Sequence, residues 1–504
     1  MKCWAVGLAA RHYPRLVLFA GQILIKKYTM YTRAFLCPQP ILMKKFLKVT
    51  FFSFSIFLLS WILVYETGIN ELAIQSEDTL PAMFLPIAIL KEKTLYLDSY
   101  YDMLVARYPH PDDRDYTKSL TPFYLRKIDQ TALIDGVHYV SAFPLVAGLL
   151  AVPVYFLPLK LGVPTTWEVL IFLSHVAAGL IVSLSGGFLY LLLKRFFKDE
   201  GIVTKEIEKK SLILTAVYLF GTVNFAMTSQ SLWQHGAVQL FTILGLLAFY
   251  RQKFFRMGLW LGLAVLSRPT AGLMFVLMGV LLFLRQCMES GSGSGAIRKC
   301  RSFVLGVVPV ILFFLWYNKT YYLGLANQGY SSQIFTEWRA NILEGFAGLW
   351  LSPSKGILIY SPVFVFSLVG FWQVLKGRVT SKRLDYGFFF VIVVLHTLIL
   401  GKWKHWYGGY SYGYRMASGV LPFLILLMVP ALNSEFFEKS RRFFWILFGC
   451  SVLMELFGIV FFDGIWHGIY DTGFKDTRWL WSIKNSELAF NVKRVLRKMG
   501  IDFL

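Results

Sequence analysis

The sequence is poor in charged residues and in cysteine. Only 16% of its 504 residues are charged, 56% are hydrophobic, and the mean hydropathy is +0.55. That balance excludes a soluble protein of this length. The cysteines lie in the N-terminal segment, in one basic loop and in one apolar run, so no disulfide framework is indicated. The five cysteines are Cys3, Cys37, Cys287, Cys300 and Cys450.

Metal-ligand spacing and internal repeats are also missing. The histidines are scattered along the chain, so no metal or other cofactor is predicted. The absence of a repeat disfavours a transporter built from two related halves. The net charge of +22 is carried by short clusters between apolar runs. This pattern favours signals of membrane topology over nucleic-acid binding.

What the chain does contain is a series of apolar runs separated by short basic or aromatic loops. A helix needs about 20 apolar residues to cross the hydrocarbon, and a lipid environment satisfies no backbone polar group, so helices are implied. The sequence therefore predicts an all-α polytopic membrane protein with about 11 spans. We expect them at residues 46–64, 168–193, 212–229, 236–250, 257–267, 270–284, 302–318, 357–375, 385–401, 416–432 and 443–462.

The first span follows a basic flank. Met43-Lys44-Lys45 precedes the apolar run, which has no small-residue cleavage site and is therefore expected to be an uncleaved anchor. We interpret residues 1–42 either as a segment upstream of the true start, Met43, or as a disordered extension. Residues 43–462 are interpreted as the transmembrane domain.

Residues 65–141 interrupt the apolar pattern and form a long polar loop. The loop holds 12 of the 29 acidic residues and seven lysines and arginines. Because basic residues precede the first span, the positive-inside rule predicts that this loop lies outside. Its proline-rich centre, Tyr108-Pro-His-Pro111, predicts a turn, and we expect short interfacial helices on either side.

Residues 143–159 form an apolar run that Pro144, Pro153 and Pro158 interrupt. We interpret it as an interfacial or re-entrant helix, because this reading places five basic loops with 20 lysines and arginines on the inside. Counting it as a span would place all five outside. The N-terminus is then inside, and residues 463–504 form an outer tail, predicted to be an amphipathic helix on the membrane surface.

This topology gathers unusual acidic residues at the outer face. Glu77-Asp78 heads the outer loop, and Asp78 is either the N-cap of a helix or a general base beside the bilayer. Asp98 and Asp102, in the same loop, are either reserve acids or solvated loop residues.

Three cations lie at the outer ends of predicted spans: Arg268, Lys355 and Arg415. An arginine inside hydrocarbon costs roughly a few kcal/mol or more unless it reaches the interface or finds a partner. An anionic ligand is one such partner, since arginine forks onto phosphate oxygens. The alternative is simple positioning at lipid headgroups.

Two aromatic stretches are predicted to line a substrate site. A Gln-His pair in so apolar a segment requires partners, aromatic faces suit the apolar face of a sugar ring, and glycines allow close backbone approach. The alternative is an interfacial aromatic belt. The expected lining residues are Trp233, Gln234, His235, Trp406, Tyr407 and Tyr412.

Taken together, these motifs resemble the GT-C superfamily of integral-membrane glycosyltransferases. The resemblance is to the broad group with protein O-mannosyltransferases and lipid A aminoarabinose transferases, and it is closest to a poorly characterised bacterial branch. It runs from residue 43 nearly to the C-terminus. The matching motifs are Glu77-Asp78, Ser231-Leu-Trp-Gln-His-Gly236, Leu266-Ser-Arg-Pro-Thr270, Ser352-Pro-Ser-Lys-Gly356 with its continuation to Pro362, and Trp406-Tyr-Gly-Gly-Tyr-Ser-Tyr-Gly-Tyr-Arg415.

The resemblance implies an inverting transferase in the bacterial inner membrane, with its active site on the periplasmic side. The donor would be a sugar on a polyprenyl phosphate, and the acceptor a glycan, a lipid or a protein. Asp78 would deprotonate the acceptor, while Arg268, Lys355 and Arg415 would hold the leaving phosphate. Many relatives show Asp before Glu, so either Glu77 or Asp78 is the base.

Two other functions would also use the three cations Arg268, Lys355 and Arg415. A flippase or transporter of a polyprenyl-linked glycan would not require a carboxylate at position 78. A polysaccharide polymerase or ligase would share the donor class but use a different outer loop, usually centred on arginine.

Overall fold

A long apolar helix, α1 (Pro40–Glu66), begins the part of the chain that the computed structural model describes. The described residues are 40–68, 70, 74–115, 117–129, 136–199, 204–290, 293–325, 336–378, 382–498 and 500. The predicted extension 1–42 therefore lies almost entirely outside them. By contacts the chain divides into residues 1–49 and 50–504. Only the start of α1 is described in the first unit, and the candidate site lies in the second.

The described residues form 20 α-helices and one two-stranded ribbon, which confirms the all-α prediction. The helices after α1 are α2 (Leu80–Ile87), α3 (Tyr101–Arg107), α4 (Val146–Lys160), α5 (Trp167–Asp199), α6 (Thr204–Phe220), α7 (Gln234–Tyr250), α8 (Phe254–Ser267), α9 (Gly272–Ser290), α10 (Gly293–Tyr321), α11 (Ile342–Leu351), α12 (Ile357–Tyr360), α13 (Val365–Leu375), α14 (Arg383–Gly401), α15 (Leu421–Leu427), α16 (Val429–Leu432), α17 (Glu435–Phe461), α18 (Ile465–Tyr470), α19 (Arg478–Trp481) and α20 (Glu487–Lys498).

Seven helical segments among the described residues are long and apolar enough to cross a membrane, and each matches a predicted span. At 1.5 Å per residue, the 24 residues of Met43–Glu66 extend about 36 Å, which exceeds a hydrocarbon thickness of about 30 Å. The seven segments are Met43–Glu66, Trp167–Asp199, Pro269–Glu289, Ser294–Tyr321, Arg383–Gly401, Arg415–Leu432 and Glu435–Phe461.

The other four predicted spans are also helical but shorter or interrupted. Helices α6 and α7 have 17 residues each, and α8 has 14. The run 357–375 divides at Ser361-Pro362 into α12, a 3-10 turn and α13, because proline removes a backbone donor and crowds the preceding turn. The total of 11 spans stays a prediction.

Helices α8 and α10 approach each other closely at two glycines. A Cβ atom on Gly258 would lie 1.9 Å from the Phe303 carbonyl oxygen, and one on Gly306 would lie 2.0 Å from that of Phe255. Only glycine fits such a contact between backbones, and small residues at helix interfaces are typical of membrane bundles. The pair allows α8 to pack closely against α10. Helix α8 ends just before Arg268, whose extended backbone is the conformation favoured before a proline, here Pro269.

The outer loop contains short helices, as predicted, and a ribbon that the sequence did not predict. Helix α2 continues into a π-helical turn at Ala88–Glu92, and α3 follows a 3-10 turn at Asp98–Tyr100. Strands β1 (Leu125–Ile128) and β2 (His138–Ser141) pair antiparallel, with Leu125 opposite Ser141. Buried residues of α2 and α3 pack against α5, which anchors the loop to the helical bundle.

Helix α4 is the predicted interfacial segment. It contains Pro153 and Pro158, and it contacts α2, α5 and α7. Val146, Ala147 and Ala151 are buried, whereas Phe156 and Leu157 are more than half exposed. Whether it crosses the membrane stays a prediction, and the same holds for the outer position of the tail that α18, α19 and α20 form.

Candidate functional site

The Glu77-Asp78 pair forms a 3-10 turn, Glu77–Thr79, that leads into helix α2. Ser76 caps this turn, since its hydroxyl oxygen accepts from the Asp78 backbone N–H at 3.4 Å. Pro81 then occupies the first turn of α2, where a missing N–H costs nothing. The interpretation of Asp78 as an N-cap is therefore wrong, and its carboxylate is available for other partners.

Asp78 forms an ion pair with Arg415, 337 residues away in sequence. Arg415 Nη1 donates to Asp78 Oδ2 at 3.0 Å, and the two side chains are 11% and 26% exposed. Nη2 of the same guanidinium donates to the Gly408 carbonyl oxygen. The third donor, Nε, is buried and has no hydrogen-bond partner.

The backbone at Gly408 requires glycine. Its φ is +92°, and a Cβ there would lie 2.7 Å from the Ser411 hydroxyl oxygen. Glycine adopts this conformation readily, and other residues do so only with strain. This explains one glycine of the aromatic stretch: it turns a carbonyl towards Arg415.

The ring of Trp233 packs against the face of the Arg415 guanidinium. The guanidinium carbon lies 4.2 Å from the centroid of the Trp233 ring, a cation–π geometry that is strengthened by burial. The indole Nε1–H donates to Gln75 Oε1 at 3.2 Å, and Gln75 Nε2 donates to the Ala226 carbonyl oxygen at 2.6 Å. The outer loop and the segment before α7 are thus joined at the predicted site.

Arg268 reaches the same place from the break between α8 and α9. Its Nη1 donates to His235 Nε2 at 2.6 Å and to the Met416 carbonyl oxygen at 3.1 Å, while Nη2 contacts Met416 Sδ at 3.3 Å. Arg268 therefore contacts Met416, the residue that follows Arg415 in the chain.

The contact with Arg268 fixes the tautomer of His235. Arginine only donates, so Nε2 accepts and the ring proton resides on Nδ1. This Nδ1 is buried and has no hydrogen-bond partner. Arg415 Nε and His235 Nδ1 are therefore two unsatisfied N–H donors on residues that both neighbour Trp233, whose ring centroid is 6.2 Å from that of His235.

Glu77 lies beside this cluster in a partly buried position. Burial, and secondarily the charge of Asp78, raises the pKa of its carboxyl. The charge of Glu77 in turn contributes to a raised pKa of Tyr108, from the outer loop, and of Tyr410, from the aromatic stretch. Glu77 is thus more readily protonated than an ordinary glutamate, and its charge acts on both of these segments.

Lys355 is fully buried and engaged by other protein groups. Its ammonium donates to the Ser411 carbonyl oxygen, to His467 Nε2 at 2.9 Å and to Glu487 Oε2 at 3.2 Å. Tyr360 donates to the same carboxylate oxygen at 3.3 Å. All three ammonium hydrogens are used, so a phosphate would have to displace one of these partners.

Burial controls the ionisation of this second cluster. It lowers the pKa of Lys355 and raises that of Glu487, while their mutual attraction opposes both changes. The pKa of His467 is well below its ordinary value because of burial and the charges of Lys355 and Arg415. His467 is therefore neutral and accepts from Lys355.

The predicted aromatic lining residues of the second stretch pack inside the protein. Trp406 lies against Gly348, where a Cβ would meet its ring at 2.1 Å. Tyr407 donates to Asp471 at 3.4 Å, and Tyr412 donates to the Met454 carbonyl oxygen. All three are at most 1% exposed, so in this structure they hold the stretch in place and do not face an open mouth.

The remaining predicted residues are Asp98, Asp102 and Gln234. Asp98 accepts from the Tyr139 backbone N–H at 2.6 Å and pairs with His138 at 2.5 Å, so it anchors the ribbon. Asp102 is exposed in the first turn of α3. Gln234 is the first residue of α7.

Several contributors were not predicted from the sequence. Gln75, Ser76, His467 and Glu487 are ordinary polar residues in polar surroundings, and nothing in the local pattern distinguishes them. A signal for Gly408 was present, since it lies in the glycine-rich aromatic stretch. Across the described ranges, no group of three or more His, Cys, Asp or Glu side chains is arranged to hold a metal ion.

The site therefore consists of an Asp78–Arg415 pair, an Arg268–His235 pair and the Trp233 ring, which neighbours both Arg415 and His235. Comparisons of the chain with protein-family models, with curated proteins and with solved structures find no match.

Proposed function

We propose that this protein is a glycosyltransferase that moves one sugar from a polyprenyl-phosphate carrier to an acceptor at the outer face of the bacterial inner membrane. The observation that carries the proposal is that Arg415 pairs with the Asp78 carboxylate, while Arg268 contacts the next residue in the chain, Met416. Transfer of a sugar from a phosphate leaving group requires an anion site for the phosphate and a proton acceptor for the attacking hydroxyl, and this cluster contains both.

The donors around Trp233 suit a phosphate. Arg415 Nε and His235 Nδ1 are buried N–H groups without acceptors, and an unsatisfied buried donor costs about 1–3 kcal/mol. Phosphate oxygens would satisfy both. Arginine also binds phosphate through a planar fork, which makes Arg415 and Arg268 the principal phosphate ligands in this proposal. Lys355 contributes only if its pair with Glu487 opens.

The reaction follows from these placements. The acceptor hydroxyl gives its proton to the carboxylate, and its oxygen attacks the anomeric carbon from the face opposite the phosphate. The bond from that carbon to the phosphate oxygen breaks, and both electrons leave with the polyprenyl phosphate. The two guanidinium groups stabilise the charge that develops there, which is usually the larger catalytic contribution, and the base adds about 10²- to 10⁴-fold.

Arg415 and Asp78 exchange partners in this scheme. Before the donor binds, Asp78 neutralises Arg415 at 3.0 Å. A phosphate on Arg415 takes over that role and releases the Asp78 carboxylate to accept a proton. Glu77 is the alternative base, because its raised pKa makes it a stronger proton acceptor than an ordinary glutamate.

The membrane setting supports a lipid-borne donor. Seven described segments are long and apolar enough to span a bilayer. A substrate with a polyprenyl tail is dissolved in that bilayer, and its phosphate lies at the level of the lipid headgroups. The positive-inside rule predicts that the loops carrying the site lie at the outer surface, at that same level.

The test is transfer from a radiolabelled polyprenyl-phosphate-sugar pool in proteoliposomes. We compare the wild type with Asp78→Asn, Glu77→Gln and the control Asp115→Asn, an exposed acid of the same loop. A loss of about 10²- to 10⁴-fold in one of the first two variants, with donor binding retained and the control unaffected, supports the proposal and assigns the base. Full transfer in both overturns it, and movement of the lipid between leaflets without transfer would establish a flippase instead.

A further inference from the structure

A short glycine bend precedes Arg415 in the chain. It consists of residues 408–411, Gly-Gly-Tyr-Ser, and is called the 408–411 bend below. Gly408 and Gly409 both have a positive φ, +92° and +59°, a conformation that glycine adopts readily. The Ser411 hydroxyl donates to the Gly408 carbonyl oxygen at 3.1 Å, so the two ends of the bend are tied together.

The two ends of the 408–411 bend contact two different cations. At one end, the Gly408 carbonyl oxygen accepts from Nη2 of Arg415 as well as from the Ser411 hydroxyl. At the other end, the Ser411 carbonyl oxygen accepts from Nζ of Lys355. A continuous series of hydrogen bonds therefore joins Lys355, through the bend, to the Arg415 guanidinium.

The C-terminal tail fixes the position of Lys355. The ammonium also donates to His467 Nε2 at 2.9 Å, from α18, and to Glu487 Oε2 at 3.2 Å, from α20. An ammonium has three hydrogens, and with the Ser411 carbonyl oxygen all three have protein acceptors. The ammonium is thus held in one place and has no hydrogen left for a phosphate.

The tail also contacts the 408–411 bend and the residues just before it. The Tyr410 ring stacks on His467, with 5.2 Å between the ring centroids and an interplanar angle of 30°. The Tyr407 hydroxyl donates to Asp471 Oδ1 at 3.4 Å. Together with the contact of Lys355, these interactions anchor the bend to the tail.

The two cations have separate carboxylate partners, and the two ion pairs differ in accessibility. The Arg415 and Asp78 side chains are 11% and 26% exposed, whereas those of Lys355 and Glu487 are 0% and 1% exposed. Burial lowers the pKa of Lys355, the ion pair with Glu487 opposes this change, and the charge of Arg415 lowers the pKa further. A ligand from outside therefore reaches Arg415, and Lys355 acts on that ligand only through the protein.

We infer that Lys355 is a positioning residue that holds the 408–411 bend, and through it the Arg415 guanidinium, and is not a ligand of the donor phosphate. This inference rests on the proposed function and adds a role for the tail. A guanidinium that is already oriented by the Gly408 carbonyl oxygen loses little freedom when it binds phosphate oxygens. Without the contact of Lys355, the bend is free to shift, and phosphate binding has to order Arg415 as well.

The experiment measures the affinity of undecaprenyl phosphate for the full-length protein in nanodiscs. The variant Lys355→Met with Glu487→Met replaces the buried pair by apolar side chains and removes the contact with the Ser411 carbonyl oxygen. We expect the affinity to fall roughly 3- to 10-fold, the effect of having to order one long side chain on binding. In an Arg415→Lys background, which has no guanidinium to orient, the same two changes should weaken binding by less than about twofold.

A second variant, Ser411→Ala, tests the connection within the bend. It leaves the Lys355 cluster intact, because Lys355 donates to the backbone carbonyl of residue 411, but it removes the hydroxyl that holds the Gly408 carbonyl oxygen. We expect about a threefold loss of affinity, and again less than about a twofold loss in the Arg415→Lys background. A phosphate bound directly by Lys355 would be insensitive to Ser411→Ala.

The matched control is Lys382→Met with Asp199→Met, which replaces another lysine–carboxylate pair, 3.1 Å apart, and should leave the affinity unchanged. If the Lys355 and Glu487 changes weaken binding equally in both backgrounds, or if they and Ser411→Ala leave the affinity at the wild-type value, the positioning role is wrong and the phosphate site stands. If the wild type does not bind undecaprenyl phosphate, or Arg415→Lys binds it as tightly as the wild type, the proposed function fails as well.

Discussion

Arg415 has partners on three sides, and one of its three guanidinium nitrogens has no hydrogen-bond partner. Asp78, the Gly408 carbonyl oxygen and the Trp233 ring hold its guanidinium plane, while Nε remains unsatisfied. A guanidinium held in one orientation loses little freedom when it binds a planar fork of oxygens. The fixed orientation of the Arg415 guanidinium in the free protein therefore favours the recognition of an anion.

His467 is a neutral histidine held against a lysine, and this makes stability depend on pH. Its folded-state pKa is well below the ordinary 6.5, through burial first and then through Lys355 and Arg415. Below pH 6.5 the unfolded chain binds a proton that the folded protein excludes. The stabilisation is thus complete above pH 6.5 and is lost as the pH falls towards the folded-state pKa.

We expect His467→Gln to flatten the acid side of the stability curve. Glutamine still offers an oxygen acceptor to Lys355 but does not titrate. Thermal unfolding midpoints of the purified protein, measured from pH 8 to pH 5, should fall less steeply in the variant. His110→Gln, a change in the outer loop, should keep the wild-type slope. Equal slopes in His467→Gln and wild type would contradict this account.

The C-terminal helices are attached to the bundle by buried polar contacts. Ser352 donates to the Leu480 carbonyl oxygen at 2.7 Å, and the Glu487 backbone N–H donates to the Ser354 hydroxyl at 3.4 Å. Helix α20 begins at Glu487, whose carboxylate faces Lys355. The Ser352-Pro-Ser-Lys-Gly356 motif is therefore a docking point for the tail in this structure.

We expect Glu487→Ala to loosen this attachment strongly. Removing one partner of a buried ion pair leaves the other charge uncompensated and costs roughly 3–5 kcal/mol. Limited proteolysis should then cleave within residues 463–498 much faster than in the wild type. Replacing both partners, in Lys355→Met with Glu487→Met, should restore most of the resistance, because an apolar pair of similar volume avoids the unpaired charge.

Failure of the double variant to recover would show that the cluster does more than neutralise Lys355. The Ser411 carbonyl oxygen, which also accepts from Lys355, would then be the important partner. Wild-type proteolysis in Glu487→Ala would instead mean that the tail is held by its apolar contacts alone, such as the buried Trp466 and Leu480.

The sequence predicted helices well and their breaks less well. Apolar length and flanking charge are local properties, so the seven long segments could be predicted. The breaks at Ser361-Pro362 and at Arg268 had local signals in proline and in charge. The ribbon had none, because the pairing of Leu125 with Ser141 depends on the turn and on packing against the bundle.

The same distinction applies to the candidate site. Asp78 and Arg415 were selected as unusual polar residues near a membrane, but only the fold brings them to 3.0 Å. Lys355 and Glu487 are 132 residues apart, and the local pattern of a basic tail gave no reason to pair them. Long-range partners require the tertiary structure, whereas residue types and their membrane side can be inferred locally.

Helix α4 determines on which side of the membrane everything after it lies. With 15 residues and two internal prolines, it extends only about 22 Å at 1.5 Å per residue, less than a hydrocarbon thickness of about 30 Å. Its contacts with α2 tie it to the outer loop. Both features favour a helix that does not cross.

We therefore expect alkaline phosphatase fused after Lys194 and after Arg442 to be inactive, and a fusion after Asp115 to be active. The enzyme folds only outside the cytoplasm, where disulfides form, and the basic loops at 194 and 442 belong inside by the positive-inside rule. A cytoplasmic reporter at the same three positions should give the opposite pattern. Active alkaline phosphatase at 194 and 442 would mean that α4 crosses the membrane. Asp78 would then lie on one side of the membrane and both Arg268 and Arg415 on the other, which would exclude the transferase geometry proposed above.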